Sequence, residues 1–301
     1  MKEGLIDRWK ADALTRGLDP KTIKAYGWSL KTIEKTLGQP LSKMDKMDIR
    51  SYIDICRKEN LTTRTIRSRL NALSSFYDFL IFEGVRKDNP IREVRARYLS
   101  QYKTASEQHT HKIISVEDAA HLVDACVDIR DKAMLLIMLK TGIRRGELLS
   151  MEVGDINWKN QSIMLKPKKK RSNRIVFFDD EAGYYLKHWL EVRESRNPMG
   201  PALWISTWGK KIDYGSLQHT IQKAALQCGL HDAASPRMED HFSAHCTRHF
   251  FTTHLMRAGM PREFIQELRG DVRREAIDIY YHVDMEELRR SYLAHIPQFG
   301  V

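Results

Sequence analysis

A chain of 301 residues, 42% hydrophobic and 30% charged, has apolar material for two cores, and its net charge of +11 favours a polyanionic partner. The longest wholly apolar run, Ala133–Leu139, is far too short to cross a bilayer, and Met1-Lys2-Glu3-Gly4 has no signal-peptide pattern, so a cytoplasmic protein without a membrane partner is expected. Four scattered cysteines (Cys56, Cys126, Cys228 and Cys246) form no C-x-x-C pair, which argues against a disulfide framework and against a zinc site.

The first hundred residues read as helices. An opening helix spans roughly Gly4–Thr15. Asp19-Pro20 then supplies an N-cap with proline at the first helical position, and Gly38 supplies a stop. Between them Ile23, Tyr26, Leu30, Ile33 and Leu37 recur at helical spacing, while Lys21, Lys24, Lys31 and Lys35 lie off that stripe beside Trp28. Asp45–Arg57 reads as a third helix with Ile49, Tyr52, Ile53 and Cys56 inward. A fourth opens at Thr62-Thr63 and runs towards Gly84, with Ile66, Leu70, Leu73, Tyr77 and Leu80 inward and Arg64, Arg67, Ser68 and Asn71 on another face. Residues 1–100 hold 21 Lys and Arg against 13 Asp and Glu, whereas residues 101–301 hold 29 against 26. The excess charge thus sits on a helical front end, which points to nucleic acid. Lys21, Lys24, Arg64 and Arg67 are its candidate DNA contacts.

Asn89-Pro90 breaks the pattern. Residues 93–112, with little apolar periodicity, read as a linker between a domain over 1–92 and a second over 113–301. Ser115-Val116-Glu117-Asp118 resembles a capping box without its usual Glu or Gln, and helices follow through Lys140. Ser162–Pro167 and Asn173–Phe178 flank a lysine-rich turn and read as a β-hairpin. Residues 183–194, 215–228, 247–258, 261–269 and 274–282 read as helices, and an amphipathic tail helix runs from Met285 to about His295. The class is mainly α, with a small antiparallel sheet in the second domain.

Four short stretches carry candidate chemistry: Arg144, the run Lys168-Lys169-Lys170-Arg171, His245 with Arg248, and Tyr280. Each alone is ordinary. A lysine run is usually a solvated turn, and one tyrosine among 11 is more often packed than reactive. Together they can hold a phosphodiester and move its protons. Two arginines offer bidentate donors to non-bridging oxygens, which a lysine cannot match in geometry. A tyrosine hydroxyl, with an ordinary pKa near ~10, needs a base or a strongly cationic site to become a nucleophile.

These stretches resemble the phage integrase, or tyrosine recombinase, family over nearly the whole chain. Thr141-Gly142-Ile143-Arg144-Arg145-Gly146-Glu147-Leu148 resembles its first arginine motif, T-G-x-R-x-x-E-L. His245-Cys246-Thr247-Arg248-His249 resembles the second, H-x-L-R-H, with Thr247 in the leucine position. Ile279-Tyr280-Tyr281-His282 resembles the nucleophile segment I-Y-x-H, and the basic helices ending in Asn89-Pro90 resemble the SAM-like core-binding domain. The resemblance implies cutting and rejoining of DNA through a 3′-phosphotyrosyl link, without metal, ATP or other cofactor. It implies Tyr280 as nucleophile, Arg144 and Arg248 as phosphate clamp, His245 as base or phosphate contact, and Lys168 as general acid. Lys169 and Lys170 remain rivals for that last role and, with Arg171, are candidate DNA contacts. Glu147 and His249 would support the arginines from behind.

The chain departs from the pattern at one point. Where the family usually places His or Trp, nine residues before the tyrosine, this chain has Asp271, a form that resembles archaeal members. An aspartate there repels phosphate unless neutralised. It could orient Arg144, Arg248 or His245, cap a helix near Arg273, or mark a DNA-binding relative that has lost catalysis. A type IB topoisomerase-like enzyme shares the same chemistry and stays open. The expected partners are double-stranded DNA with a recombination site and further copies of the chain, docked through the tail into a tetramer. The target bases and any accessory DNA-bending protein are left unspecified.

Overall fold

A computed structural model describes residues 4–100, 113–167, 173–235, 237–271 and 283–301. Contacts divide the chain into two units, Met1–Glu107 and Gln108–Val301. No helix among the described residues is long and apolar enough to cross a membrane.

The first unit is built from α1 (Leu5–Thr15), α2 (Pro20–Leu37), α3 (Lys46–Lys58), α4 (Thr63–Phe82) and α5 (Ile91–Tyr98). Its ends follow from its capping residues. The Asp19 carboxylate accepts from the Lys21 amide at 2.8 Å, Pro20 opens α2, and Gly38 closes it in the left-handed region (φ 64°). Asp45 and Asp48 cap α3 reciprocally, and Thr62 caps α4. Trp9, Leu30, Ile33, Ile53, Leu70, Leu73, Phe76 and Leu80 form the core. Tyr77 is buried among them with its hydroxyl donating to the Leu41 carbonyl at 3.0 Å, and burial pushes its pKa up to about 12.

α5 corrects the expected linker. Asn89 donates to the Ser74 carbonyl at 3.0 Å and to Asp78 at 2.6 Å, and its own side-chain oxygen accepts from the Ile91 amide. Pro90 therefore starts a helix rather than ending a domain. Ile91, Val94 and Leu99 are buried against α3 and α4. Two turns crowded with Arg92, Glu93, Arg95 and Arg97 are too short to show periodicity in the sequence. The rest of the expected linker, 101–112, lies outside the described residues.

The second unit is organised around α7 (Ile129–Thr141), which is buried on every side from Ala133 to Thr141. α6 (Val116–Asp124) precedes it, opened by a true capping box in which Asp118 plays the part usually taken by glutamate. α8 (Arg145–Leu148) follows after a three-residue break. α9 (Asp180–Ser195) and α11 (Ala244–Arg257) flank α7, and α10 (Tyr214–Gln227) packs on α6. The sheet has three antiparallel strands in the order β1 (Ile156–Asn157), β2 (Ser162–Met164), β3 (Ile175–Phe177), with Ile163 opposite both Ile156 and Val176. The expected hairpin is β2–β3; β1 escapes sequence reading because two residues carry no alternation. α12 (Arg262–Arg269) and α13 (Met285–His295) complete the unit. The expected helix over 274–282 lies outside the described residues. All four cysteines are free, and burial pushes the Cys126 thiol up to about 12.

The tail packs on its own unit. Leu288 and Tyr292 join Phe177, Phe251, Leu255 and Leu268 in one cluster, while Phe299 and Val301 reach the main core. Lys140, wholly buried at the end of α7, ties this together. Its ammonium donates to Asp179 and Glu181 at 2.6 Å each and to the Pro297 carbonyl at 2.5 Å. Glu181 also accepts from the Phe299 amide at 3.0 Å. Burial alone would raise the Glu181 carboxyl, but Lys140 and the tail amides outweigh it and hold the pKa below its ordinary value.

Candidate active site

The site starts from a glycine. Gly142 ends α7 in the left-handed region (φ 58°), and a Cβ there would meet the Phe251 ring at 2.4 Å. Only glycine lets α11 come this close. The approach brings Arg248 of α11 to the Gly142 carbonyl, to which its Nη1 donates at 2.7 Å. Ile143 is buried after the turn, and Arg144 becomes the N-cap of α8. Glu147, only 2% exposed, accepts from the Arg144 amide at 2.7 Å and from its Nη1 at 3.3 Å. The T-G-x-R-x-x-E spacing thus places a glycine joint, an arginine and its buried carboxylate partner within two turns.

Asp271 joins the two arginines. It follows Gly270, which closes α12 in the left-handed region (φ 60°). Its Oδ1 lies 3.0 Å from Arg248 Nη2 and 3.6 Å from Arg144 Nη2, and its Oδ2 lies 3.1 Å from Arg269 Nε. Arg248 Nη2 also donates to the Arg269 carbonyl at 2.9 Å. The two guanidinium groups, 104 positions apart in sequence, therefore stand side by side on one carboxylate oxygen. Repulsion of a phosphate by Asp271 is blunted because three guanidinium groups surround it. The Arg248 side chain is 6% exposed and that of Arg144 is 41% exposed, so an anion would meet Arg144 first with Arg248 behind it.

His245 lies on the same helix as Arg248, one turn earlier and exposed. Its ring meets that of half-buried His249 edge-on, with centroids 4.5 Å apart. α11 begins three residues before the expected start, because the Ser243 hydroxyl caps it by accepting from the His245 amide at 3.3 Å. Tyr280, its neighbour Tyr281, Lys168, Lys169, Lys170 and Arg171 lie outside the described residues, as does any helix capped by Asp271. Among the described residues no group of three or more His, Cys, Asp or Glu is placed to hold a metal ion.

In the first unit Lys21, Lys24, Trp28, Lys31 and Lys35 form an exposed face of α2, and Arg64 is exposed on α4. Arg67 is exposed too, and it has a partner within its own unit. It donates to the Leu99 carbonyl at the end of α5, and Arg95 of α5 donates to Asn71. The face shared by Arg67 and Asn71 is therefore engaged by the helix that was read as linker. Sequence reading also missed Arg269, whose signal was the Arg-Gly-Asp turn itself, and Lys140. A lysine ending an apolar run demands carboxylate partners, and Asp179-Asp180-Glu181 supplied the signal.

A profile of the phage integrase family matches residues 108–287, and one of its N-terminal SAM-like domain matches residues 6–84. The chain belongs to the phage integrase family. It is a tyrosine-type site-specific DNA recombinase. The recombinase is 28% identical over 285 residues to Tyrosine recombinase XerC of Histophilus somni, covering 93% of this chain and 92% of that one. Identity to Tyrosine recombinase XerC of Alcanivorax borkumensis is 27% over 289 residues, covering 93% and 89%. Its fold resembles that of a lambda integrase tetramer solved on a Holliday junction, with a TM-score of 0.70 at 18% identity over 92% of this chain and 76% of that one.

Proposed function

We propose that the recombinase cuts its site by inline displacement at one phosphodiester held between Arg144 and Arg248. The Tyr280 phenolic oxygen forms the new bond to phosphorus, and the bond to the 5′ oxygen breaks. The phenolic proton passes to His245, and Lys168 protonates the departing 5′ oxygen. A 3′-phosphotyrosyl link remains and stores the bond energy, so a second 5′ hydroxyl can reverse the step on a new partner without ATP. Arg144 and Arg248 stabilise the charge that builds on the non-bridging oxygens. Asp271 acts as a positioning residue for both. Glu147 and His249 support Arg144 and His245.

The observation that carries this reading is the meeting of Arg144 and Arg248 on Asp271 Oδ1. It supports an orienting role for the aspartate in the His or Trp position, since both guanidinium groups lie against its carboxylate. The test is a suicide duplex, nicked so that religation fails, followed by a denaturing gel. The wild-type chain and Tyr281→Phe should form a covalent adduct, and Tyr280→Phe should form none while still binding DNA. Adducts that persist in Tyr280→Phe and vanish in Tyr281→Phe would reassign the nucleophile, and none from the wild type would make the chain a binding protein. Relaxation of plasmid lacking any site would favour a topoisomerase-like role.

We further propose that four copies assemble on double-stranded DNA in the cytoplasm, with the tail re-seated on a neighbouring protomer. The tail's own-unit packing through Lys140 and Glu181 is the state that must open. Paired cysteines that staple the tail to its own unit should leave single-protomer binding intact and block tetramers. Tetramers formed by the stapled chain would refute the tail's role.

A further inference from the structure

Arg145 has no part in the chemistry above. It is the first residue of α8, directly after Arg144, yet the two side chains part company. Arg144 turns to Glu147 and Asp271, while the Arg145 guanidinium lies over the ring of Tyr214, 3.7 Å from its centroid. No other cation–ring contact among the described residues is as close. Tyr214 is itself 44% exposed and opens α10 behind the cap made by Asp213. Among the described residues no carboxylate, carbonyl or hydroxyl takes the side-chain donors of Arg145. Partial burial lowers its pKa from the ordinary arginine value.

Other arginines also lie over rings, among them Arg86 over Tyr77 and Arg196 over Trp189, but those two also spend donors on the Asp88 carbonyl and the Asp128 carboxylate. The clamp arginines are oriented by carboxylates, which spend donors and cancel charge. A guanidinium stacked on a ring spends no donor: its N–H groups lie in the plane and point outwards, while the stack freezes a side chain that otherwise keeps about 2 kcal/mol of rotamer entropy. A rigid, unspent, planar fork suits a planar acceptor pair. Duplex DNA offers one such pair at guanine O6 and N7 in the major groove. A phosphate would also accept a fork, but the nearest one is already claimed by Arg144 and Arg248.

We propose that Arg145, braced by Tyr214, reads a guanine close to the cleavage point and so helps set the sequence of the recombination site. This rests on the recombinase reading. Adjacent Cα atoms lie about 3.8 Å apart and base pairs stack about 3.4 Å apart, so the guanine falls within roughly five base pairs of the phosphate held by Arg144. The coupling has a mechanical use. Recognition and clamping come from neighbouring residues of one turn, so a mismatched base displaces Arg145 and disturbs Arg144 through a single peptide bond.

The test is selection of bound duplexes from a randomised library, with the cleavage point mapped by suicide substrates. The wild-type chain should select a motif with a G·C pair within five base pairs of the cut. Arg145→Ala and Arg145→Lys should lose preference at that position by about 10- to 100-fold and keep it elsewhere. Tyr214→Phe, which keeps the ring, should retain the preference, and Tyr214→Ala should weaken it. An unchanged motif in Arg145→Ala overturns the proposal. So does a uniform loss of affinity on every sequence, the mark of a phosphate contact. A wild-type chain that selects no motif overturns the recombinase reading, and this inference falls with it.

Discussion

The two units hold their cations differently. In the second unit the cations at its centre lean on carboxylates: Lys140 on Asp179 and Glu181, Arg248 on Asp271, and partly exposed Arg144 on Glu147 and Asp271. In the first unit several arginines lean on uncharged groups. Arg57 donates to the Tyr98 carbonyl at 2.8 Å, Arg67 to that of Leu99, and Arg69 to the Tyr52 hydroxyl at 3.0 Å while lying over Trp28. Carboxylates give direction at the expense of net charge. Carbonyls and rings give less direction and leave the charge whole. The first hundred residues carry most of the excess charge, with 21 cations against 13 anions. On the proposed reading, the first unit attracts a polyanion over a distance and the second grips one phosphate of it.

The contrast breaks most visibly at Arg248. Arg248→Ala should slow adduct formation by about 100- to 1,000-fold at saturating DNA, because it removes a positioned donor to the reacting phosphate. Lys24→Ala should lower affinity and leave the saturated rate alone. Single-turnover cleavage of the nicked duplex separates the two. Equal rate losses in both variants would mean that the units do not divide the work in this way. Asp271→Asn keeps the shape but halves the hold on both guanidiniums, and a loss of about 10- to 100-fold in rate with binding retained marks a positioning residue.

A second consequence concerns stability. Lys140→Met leaves Asp179 and Glu181 buried without their cation, and should cost about 3–5 kcal/mol in chemical denaturation. The loss should depend on pH. Glu181 has a lowered pKa when folded, so its contribution is complete above the ordinary carboxylate value of 4.5 and fades as pH falls through the folded value. The gap between wild type and Lys140→Met should therefore narrow in acid. A gap that stays constant from neutral pH to pH 3 would show that Glu181 does not carry it.

Much of this arrangement was legible because several signals agreed. The caps Asp19, Asp45 and Ser115 and the stop Gly38 set helix ends that the structure keeps within a residue or two. The motif around Arg144 was legible too, since Gly142 and Glu147 have local reasons to sit at their spacing. What failed was of another kind. α5 was hidden because its burial depends on a surface already made by α3 and α4, which no local pattern reports. An orienting role for Asp271 was among the sequence's options, but the convergence of Arg248 and Arg269 on it from α11 and α12 was not legible there. The tie between Arg67 and the Leu99 carbonyl was hidden with it: a face looks free until the helix that meets it is known.

That tie allows the finest cut within the first unit. Arg64 and Arg67 stand one turn apart on α4, alike in sequence and both exposed as residues, but only Arg67 is tied to the Leu99 carbonyl. If Arg64 meets a phosphate and Arg67 braces α5, their removal should differ in kind. Each phosphate contact contributes about 0.9 to the slope of log affinity against log salt. Arg64→Ala should reduce that slope by about one contact and leave thermal stability unchanged. Arg67→Ala should leave the slope alone and lower the melting temperature slightly, because a helix end loses its brace. The measurement is a salt titration of duplex binding paired with a melting curve for each variant. Should Arg67→Ala flatten the slope as Arg64→Ala does, the carbonyl contact is one that DNA displaces, and the first unit's carbonyl-held arginines would be reserves of binding charge instead of structural braces.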